Sequence, residues 1–355
     1  MNILLFILVL LVVVLVHEWG HFITAKKVGM RVDEFGFGFP PKLFGMRKGE
    51  TEYTFNLLPI GGFVKIFGED SEAAEGDPRA FTSRPRWAQA LVLVAGVVMN
   101  VVLAWVLFSI VLMMGNQTVA DVQTETSRLV ITEVLEGSPA AEAGIAHGVE
   151  VLAVSSGDEE ATLTPEGFRA FTETHGEALT VTYVVNGEVE TVDITAADGL
   201  ISGEDRQAIG VGLALIDTVR LPIHLALYEG GKMTFVALGN ITVGIATLIV
   251  EAVQLEADLT NVAGPIGIVG LVGEVSSFGL APLLMFVAFI SLNLAVINLI
   301  PVPALDGGRL LFVAIEAVKQ KPIPPQWVGI LNTAGFALLI ILMIAVTYND
   351  ILRII

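Results

Sequence analysis

The sequence predicts a multi-pass α-helical membrane protein with four transmembrane helices, a membrane-associated β-rich loop and one inserted α+β domain. Three observations predict it. Of the 355 residues, 54% are hydrophobic and only 16% charged, with a mean hydropathy of +0.75, whereas a soluble domain carries about 25% charged residues. Four segments have the roughly 20 apolar residues that a hydrocarbon core requires. The acidic charge is concentrated: residues 114–220 hold 19 acidic and four basic side chains within a formal net charge of −18. A segment so acidic repels nucleic acid and reads as an extramembrane domain in water.

The first helix occupies residues 1–25. Its apolar run from Ile3 to Val16 lacks the basic start and small-residue cleavage site of a signal peptide, so it reads as a retained span. Residues 26–87 follow as a β-rich segment. Val32 to Phe39 alternates and is broken by Pro40-Pro41, and Glu52 to Leu58 and Gly61 to Phe67 are short strands punctuated by Gly and Pro. The segment is aromatic and apolar for a loop in water, which suggests that it dips into the membrane where its backbone is paired or shielded.

The second helix is 88–114, apolar from Ala90 onwards, with Asn100 and Ser109 as its only strongly polar side chains. Residues 120–215 read as the α+β domain. Thr164 and Pro165 suit the start of a helix to Thr174, and Leu179–Val185 and Glu188–Ile194 flank Asn186-Gly187, a two-residue hairpin signal. Residues 221–279 hold an apolar, Gly- and Thr-rich stretch from Met233 to Leu255, expected as an interfacial helix. The third helix, 280–308, contains Ser291, Asn293 and Asn298; a short segment, 309–327, leads to the fourth, 328–348.

Orientation follows Lys and Arg. Residues 26–86 contain ten of the 19 basic residues, and Arg309, Lys319 and Lys321 follow the third span. Both segments are therefore expected in the cytoplasm, and residues 115–279 and the termini on the other side. Four spans satisfy this arrangement.

The chain has no cysteine, so any metal must be held by His, Asp or Glu. His17-Glu18-Trp-Gly-His21 is the sharpest feature. Residues i and i+4 share a helix face, so both imidazoles can bind one metal, and Glu18 beside them can take a proton from water there. Ionisable groups inside a span are expensive and point to function, the bland reading being a polar cluster at the helix end. Fourteen apolar residues precede His17, placing it about 21 Å along the helix, in the cytoplasmic part of the span. A catalytic zinc usually has a third protein ligand and one open position. His147, His175 and His224 lie in or beside the acidic segment, on the wrong side. Asp306 stands in Asn298-Leu-Ile-Pro-Val-Pro-Ala-Leu-Asp-Gly-Gly308, where two prolines interrupt the helix and two glycines allow close backbone approach. It is the better candidate, against the bland reading of a helix-capping aspartate.

The two motifs, with a domain inserted between the second and third spans, resemble the site-2 protease family of intramembrane metalloproteases, and more narrowly its regulators of sigma-factor signalling. The resemblance covers nearly the whole chain. It implies one Zn²⁺ per chain held by His17, His21 and Asp306, with Glu18 as the catalytic base and Asn298 orienting substrate. It implies a membrane-reentrant β-loop around 35–39 that pairs with unwound substrate, and a single PDZ-like domain at 120–215 where the best-known relatives of this type carry two. Gly264-Pro-Ile-Gly-Ile268 matches a further family signature. Val97 stands where the family often has proline, and Gly148-Val-Glu150 where a Gly-Asp pair is common. The implied activity is regulated intramembrane proteolysis of single-pass transmembrane proteins or peptides, such as a pre-cleaved anti-sigma factor or remnant signal peptides, in the bacterial cytoplasmic membrane. The rival readings are a metal transporter using the same His/Asp site, which needs polar residues along several spans, and an anchored scaffold, which leaves the intramembrane His17, Glu18 and His21 unexplained.

Overall fold

The computed structural model describes residues 2–69, 76–119, 123–124, 127–185, 187–200, 206–254, 263–321 and 323–354. They form two compact units: residues 1–113 with 222–355, and residues 114–221. In chain order, the first unit opens with α1 (Asn2–Lys27), β1 (Val32–Lys48), β2 (Thr51–Ile66) and α2 (Arg86–Met114). The second unit contains β3 (Asn116–Val119), β4 (Arg128–Val134), α3 (Pro139–Glu142), β5 (Glu150–Ser156), β6 (Glu159–Glu160), α4 (Pro165–His175), β7 (Leu179–Val185), β8 (Glu188–Ile194), β9 (Ala197–Asp198), β10 (Gln207–Ala208) and β11 (Val211–Val219). The chain then returns to the first unit with α5 (Ile223–Gln254), α6 (Pro265–Ser277), α7 (Leu280–Leu299), α8 (Asp306–Lys319) and α9 (Pro325–Ile354).

Among the described residues, five helices (α1, α2, α5, α7 and α9) are long and apolar enough to cross a membrane. Four of these cover the segments expected as spans. The fifth, α5, is the segment expected to lie at the interface. At 32 residues it starts ten residues earlier than the apolar stretch suggests, and Leu255 and Glu256 fall outside the described residues.

Side-chain packing fixes the directions of the helices. Gly273 of α6 lies against the Asn2 side chain at the start of α1. Further along, Val9 and Val13 pack in one cluster with Val287, Ala288 and Leu292 of α7, and His17 reaches Asn298. So α1 and α7 run parallel. Helix α2 is antiparallel to both: Ala88 and Val92 cluster with Ala25, and Ala104 and Phe108 with Val9 and Val13. Helix α9 passes Pro303 in its first half, where Gly335 packs, and ends beside Gly264, where Asp350 packs. It is therefore antiparallel to α7.

The expected strands at 32–39, 52–58 and 61–67 are present, joined by a fourth at 42–48. Both β1 and β2 bend, so their pairing produces four segments in the order 62–66, 32–37, 51–55, 44–48; the two outer pairings are antiparallel, and 32–37 and 51–55 run in the same direction. Gly38 and Gly61 take positive φ at the bends, where a side chain would be strained. Residues 39–48 are exposed throughout, and Leu43, Phe44 and Met46 are each at least 60% exposed. An apolar tip of this kind calls for lipid or a partner. The 62–66 segment forms an edge of this sheet, because its pairing is to 32–37 alone among the described residues. Lys26 at the end of α1 pairs with Glu50 in the β1–β2 turn at 3.0 Å, and this ammonium holds the Glu50 carboxyl below its ordinary range.

The second unit is a seven-stranded sheet with β3, β11, β4, β5, β7 and β8 in spatial order and β6 beside β5. Its core gathers alternate residues of the strands, Leu129, Ile131, Val151, Leu179, Val181 and Tyr183, around Phe168 of α4. Thr164 caps α4, its hydroxyl accepting from the Gly167 N–H at 2.9 Å. The strands β7 and β8 pair in hairpin register; Asn186 in the turn lies outside the described residues.

Asp350 explains the glycines of Gly264-Pro-Ile-Gly267. It is 2% exposed, and its two carboxylate oxygens accept from the Gly264 and Gly267 N–H groups, both at 2.9 Å. It thereby satisfies orphan donors at the start of α6. A Cβ on Gly264 would lie 2.6 Å from Asp350 Oδ2. Asp350→Ala is expected to cost about 1–2 kcal/mol, read as a lower melting temperature of the purified protein in detergent; an unchanged melt would show that this cap does not hold α6.

Candidate metal centre

The interruption between α7 and α8 builds one side of the site. After Leu299 the chain passes through Pro301 and Pro303, with Ala304 at φ 77°, and α8 starts with Leu305 as its N-cap. Asp306 therefore sits in the first turn and does not cap the helix; its carboxylate turns to the histidines instead. Gly307 and Gly308 make this sharp return feasible, since a Cβ on either would fall 2.3 Å from a backbone carbonyl oxygen, of Ile300 or Val302 respectively.

The other side comes from α1 and α2. Helical spacing stacks His17 and His21 on one face of α1, 5% and 7% exposed. Their Nε2 atoms lie 3.1 Å apart, and Asp306 Oδ2 lies 2.9 Å from His17 Nε2 and 3.2 Å from His21 Nε2. Residues 289 positions apart in sequence thus converge on one point. Two imidazole nitrogens and a carboxylate oxygen are the donor set of a catalytic zinc site with an open fourth position. Bonds of about 2.0–2.1 Å to a tetrahedral ion put ligand atoms about 3.3 Å apart, so this triangle fits zinc after opening by a few tenths of an ångström.

The triangle is supported from behind. His21 Nδ1 donates to the Val92 carbonyl oxygen at 2.8 Å, which leaves its Nε2 lone pair facing the centre. Gly96 of α2 leaves room for both rings: a Cβ there would lie 2.4 Å from His21 Nε2 and 2.7 Å from His17 Cε1. Gly20 of α1 lets the same helices meet, with the Ala95 carbonyl oxygen 2.4 Å from where its Cβ would be.

Glu18, half-buried, lines a cavity of about 500 Å³ with His21 and Asp306. Other walls come from Phe63, Val64, Glu69 and Arg309. Arg309 pairs with Glu69 and so ties α8 to the end of the sheet. Val64 lines this cavity with Glu18, and a Cβ on Gly62 would lie 3.8 Å from Glu18 Cγ, which puts the 62–66 edge beside Glu18. Asn298 Nδ2 lies 3.5 Å from His17 Nε2. The structure thus brings together His17, Glu18, His21, Asn298 and Asp306. Sequence reasoning did not find Gly96 or the Val92 carbonyl. Neither carries a residue-type signal, since one is a missing side chain and the other is backbone. Asn100 stood out as a polar side chain within an apolar helix, without a role.

A His–His–Asp cluster among membrane-length helices, beside a glutamate on a cavity, offers the donor set of a hydrolytic metal centre. Comparison with known proteins agrees. The signature of peptidase family M50 matches residues 5–342. A protein of Clostridium perfringens named as a zinc metalloprotease is 36% identical over 347 residues, 96% of this chain and 95% of its own length. The zinc metalloprotease RasP of Oceanobacillus iheyensis is 30% identical, covering 98% of each chain. The regulator of sigma-W protease RasP of Bacillus subtilis is 28% identical, covering 98% of this chain and 97% of its own. The chain belongs to peptidase family M50, the site-2 protease family, and is a zinc metalloprotease.

Gly96→Ala is expected to displace the imidazoles and weaken zinc binding on the order of tenfold or more. Metal analysis of the purified variant checks this, and a full zinc complement would show that the rings have room to spare.

Proposed function

We propose that the chain is an intramembrane endopeptidase in which His17, His21 and Asp306 hold one zinc ion and Glu18 is the general base. The observation that carries this reading is the convergence of those three ligand atoms beside Glu18. Zinc, when bound, supplies Lewis acidity that polarises a scissile carbonyl and makes water acidic near neutral pH. Glu18 then takes a proton from the attacking water as its oxygen bonds to the carbonyl carbon. It returns that proton to the amide nitrogen as the C–N bond breaks, giving a carboxylate and an amine. Asn298, beside His17, is placed to donate to the substrate carbonyl.

A helical substrate hides its amides in its own hydrogen bonds, so it must be unwound before attack. The 62–66 edge passes Glu18 and can pair with an extended segment by β-augmentation. The exposed apolar tip at 39–48 suits a loop that enters the membrane. Residues 120–215 are read as a PDZ-like domain.

In membrane terms, we place four spans, α1, α2, α7 and α9, in a bacterial cytoplasmic membrane, with the metal centre toward the cytoplasm. Basic residues at 26–86 and 309–321 support this orientation. Parity supports the count: α1 and α7 run parallel with α2 antiparallel, so the chain between α2 and α7 crosses an even number of times. An α5 that crossed would need a return crossing before α7, and α6, at 13 residues, is short for one; this favours an α5 that lies against the bundle at the interface without crossing. The termini and the PDZ-like domain then lie outside the cytoplasm. Substrates are single-pass transmembrane proteins already shortened outside the membrane. The sigma-W regulator among the relatives favours a membrane-anchored anti-sigma factor, with remnant signal peptides as the second class. Transport of metal through the same site is disfavoured, because the bundle above it is filled by Val9, Val13, Leu107, Phe108, Val287 and Leu292.

The test is cleavage of a single-pass transmembrane peptide in detergent, with and without a chelator. Glu18→Gln is expected to lower the rate by about 10²–10⁴-fold with zinc content unchanged; undiminished cleavage would sink the assignment. Asp306→Asn is expected to lose zinc, and an unaltered metal content would remove Asp306 from the ligands.

A further inference from the structure

Asn100 sits in the middle of α2 and is fully buried. Its amide faces the back of His17, with Nδ2 3.4 Å from His17 Nδ1. Its Oδ1 is also buried and meets no hydrogen-bond donor among the described residues. An orphaned amide oxygen at the heart of an apolar bundle requires an explanation.

The explanation lies in the tautomer of His17. A neutral imidazole carries one proton, on Nδ1 or on Nε2. If the Asn100 NH₂ points at the ring, Nδ1 must accept and Nε2 carries the proton. That ring cannot be a ligand through Nε2, the atom that faces Asp306 and His21. A half-turn of the amide about its terminal torsion exchanges Oδ1 and Nδ2, which occupy nearly the same space. Oδ1 then accepts from the Nδ1–H, the NH₂ takes its former place, and the Nε2 lone pair is free for metal. His21 is already served this way, by the Val92 carbonyl. The two partners are eight residues apart on α2, about two helical turns.

The position of Asn100 is itself fixed. Ser291 of α7, fully buried, donates its hydroxyl proton to the Asn100 backbone carbonyl at 2.9 Å. This bond pins α2 to the helix that leads to Asn298 and Asp306.

The geometry points to Asn100 as a positioning residue for the zinc centre: its side-chain oxygen accepts from His17 Nδ1–H and selects the tautomer that binds metal through Nε2. This rests on the reading of His17 as a ligand.

The test measures zinc affinity of the purified full chain by chelator competition, and the visible spectrum after loading with cobalt(II). Asn100→Leu fills the space without an acceptor; Asn100→Asp keeps an oxygen acceptor. Asn100→Leu is expected to bind zinc about 10–100-fold more weakly and to alter the cobalt spectrum, while Asn100→Asp stays near wild type in both. Where Asn100→Leu does not melt cooperatively, Asn100→Ala takes its place, removing the amide without adding bulk. Wild-type affinity and spectrum in the leucine or alanine variant overturn the proposal. So does equal loss in Asn100→Asp, since the acceptor would then not be what matters. His17→Ala separates the two levels. If it keeps wild-type zinc affinity, the metal-site reading itself fails. If it loses zinc while Asn100→Leu does not, only the role of Asn100 fails.

Discussion

Three polar donor groups meet inside an apolar bundle, and the rest of the helical unit answers to that. Polar atoms withdrawn from water and left without partners are costly. The solution is to gather the groups around one another and to back them with hydrogen bonds from neighbouring helices. This needs helices closer than bulky side chains allow. Gly20 and Gly96 supply the approach between α1 and α2, and Gly307 and Gly308 between the start of α8 and the end of α7. These glycines are where the metal centre and the packing of the bundle become one problem.

The same constraint divides the bundle along its length. On one side of His17, α1, α2 and α7 are joined by a continuous apolar cluster centred on Val13, Ala104, Phe108 and Leu292. On the other side, Glu18, His21 and Asp306 face a cavity whose walls include Glu69 and Arg309. Hydrolysis consumes water, and such a division would give the proposed catalytic groups a polar approach from one direction and a dry wall on the other. The sheet closes part of this cavity. Its 62–66 edge is held beside Glu18 by the pairing with 32–37. Its far end carries the exposed Leu43, Phe44 and Met46. One small sheet therefore joins the polar cavity to a surface suited to lipid.

Much of the architecture is local and therefore legible in sequence. Apolar runs of about 20 residues specify membrane-length helices because every backbone group must be satisfied within its own segment. Alternation in Val32 to Phe39 and the glycines and prolines around it specify strands. The segment 42–48 escaped because Lys42-Leu-Phe-Gly-Met-Arg-Lys48 has no clean period; it is a strand because residues 51–55 offer it a pairing edge. The length of α5 escaped for a related reason. Glycines and threonines lower its hydropathy without breaking a helix, and Met233, Ala237, Leu238 and Ile241 pack against the bundle.

At the metal centre the division is sharper. That His17 and His21 share a face with Glu18 beside them follows from residue order alone, since four residues make about one helical turn whatever surrounds them. Residue order also marks Asp306, through the prolines and glycines that break the helix there. Long-range packing alone brings Asp306 to 2.9 Å from His17, the Val92 carbonyl to His21 and Asn100 behind His17. Those contacts join residues 71 to 289 positions apart. No periodicity encodes them; they exist because α1, α2 and α7 pack closely enough, at their glycines, for the chain to fold back onto its own first helix.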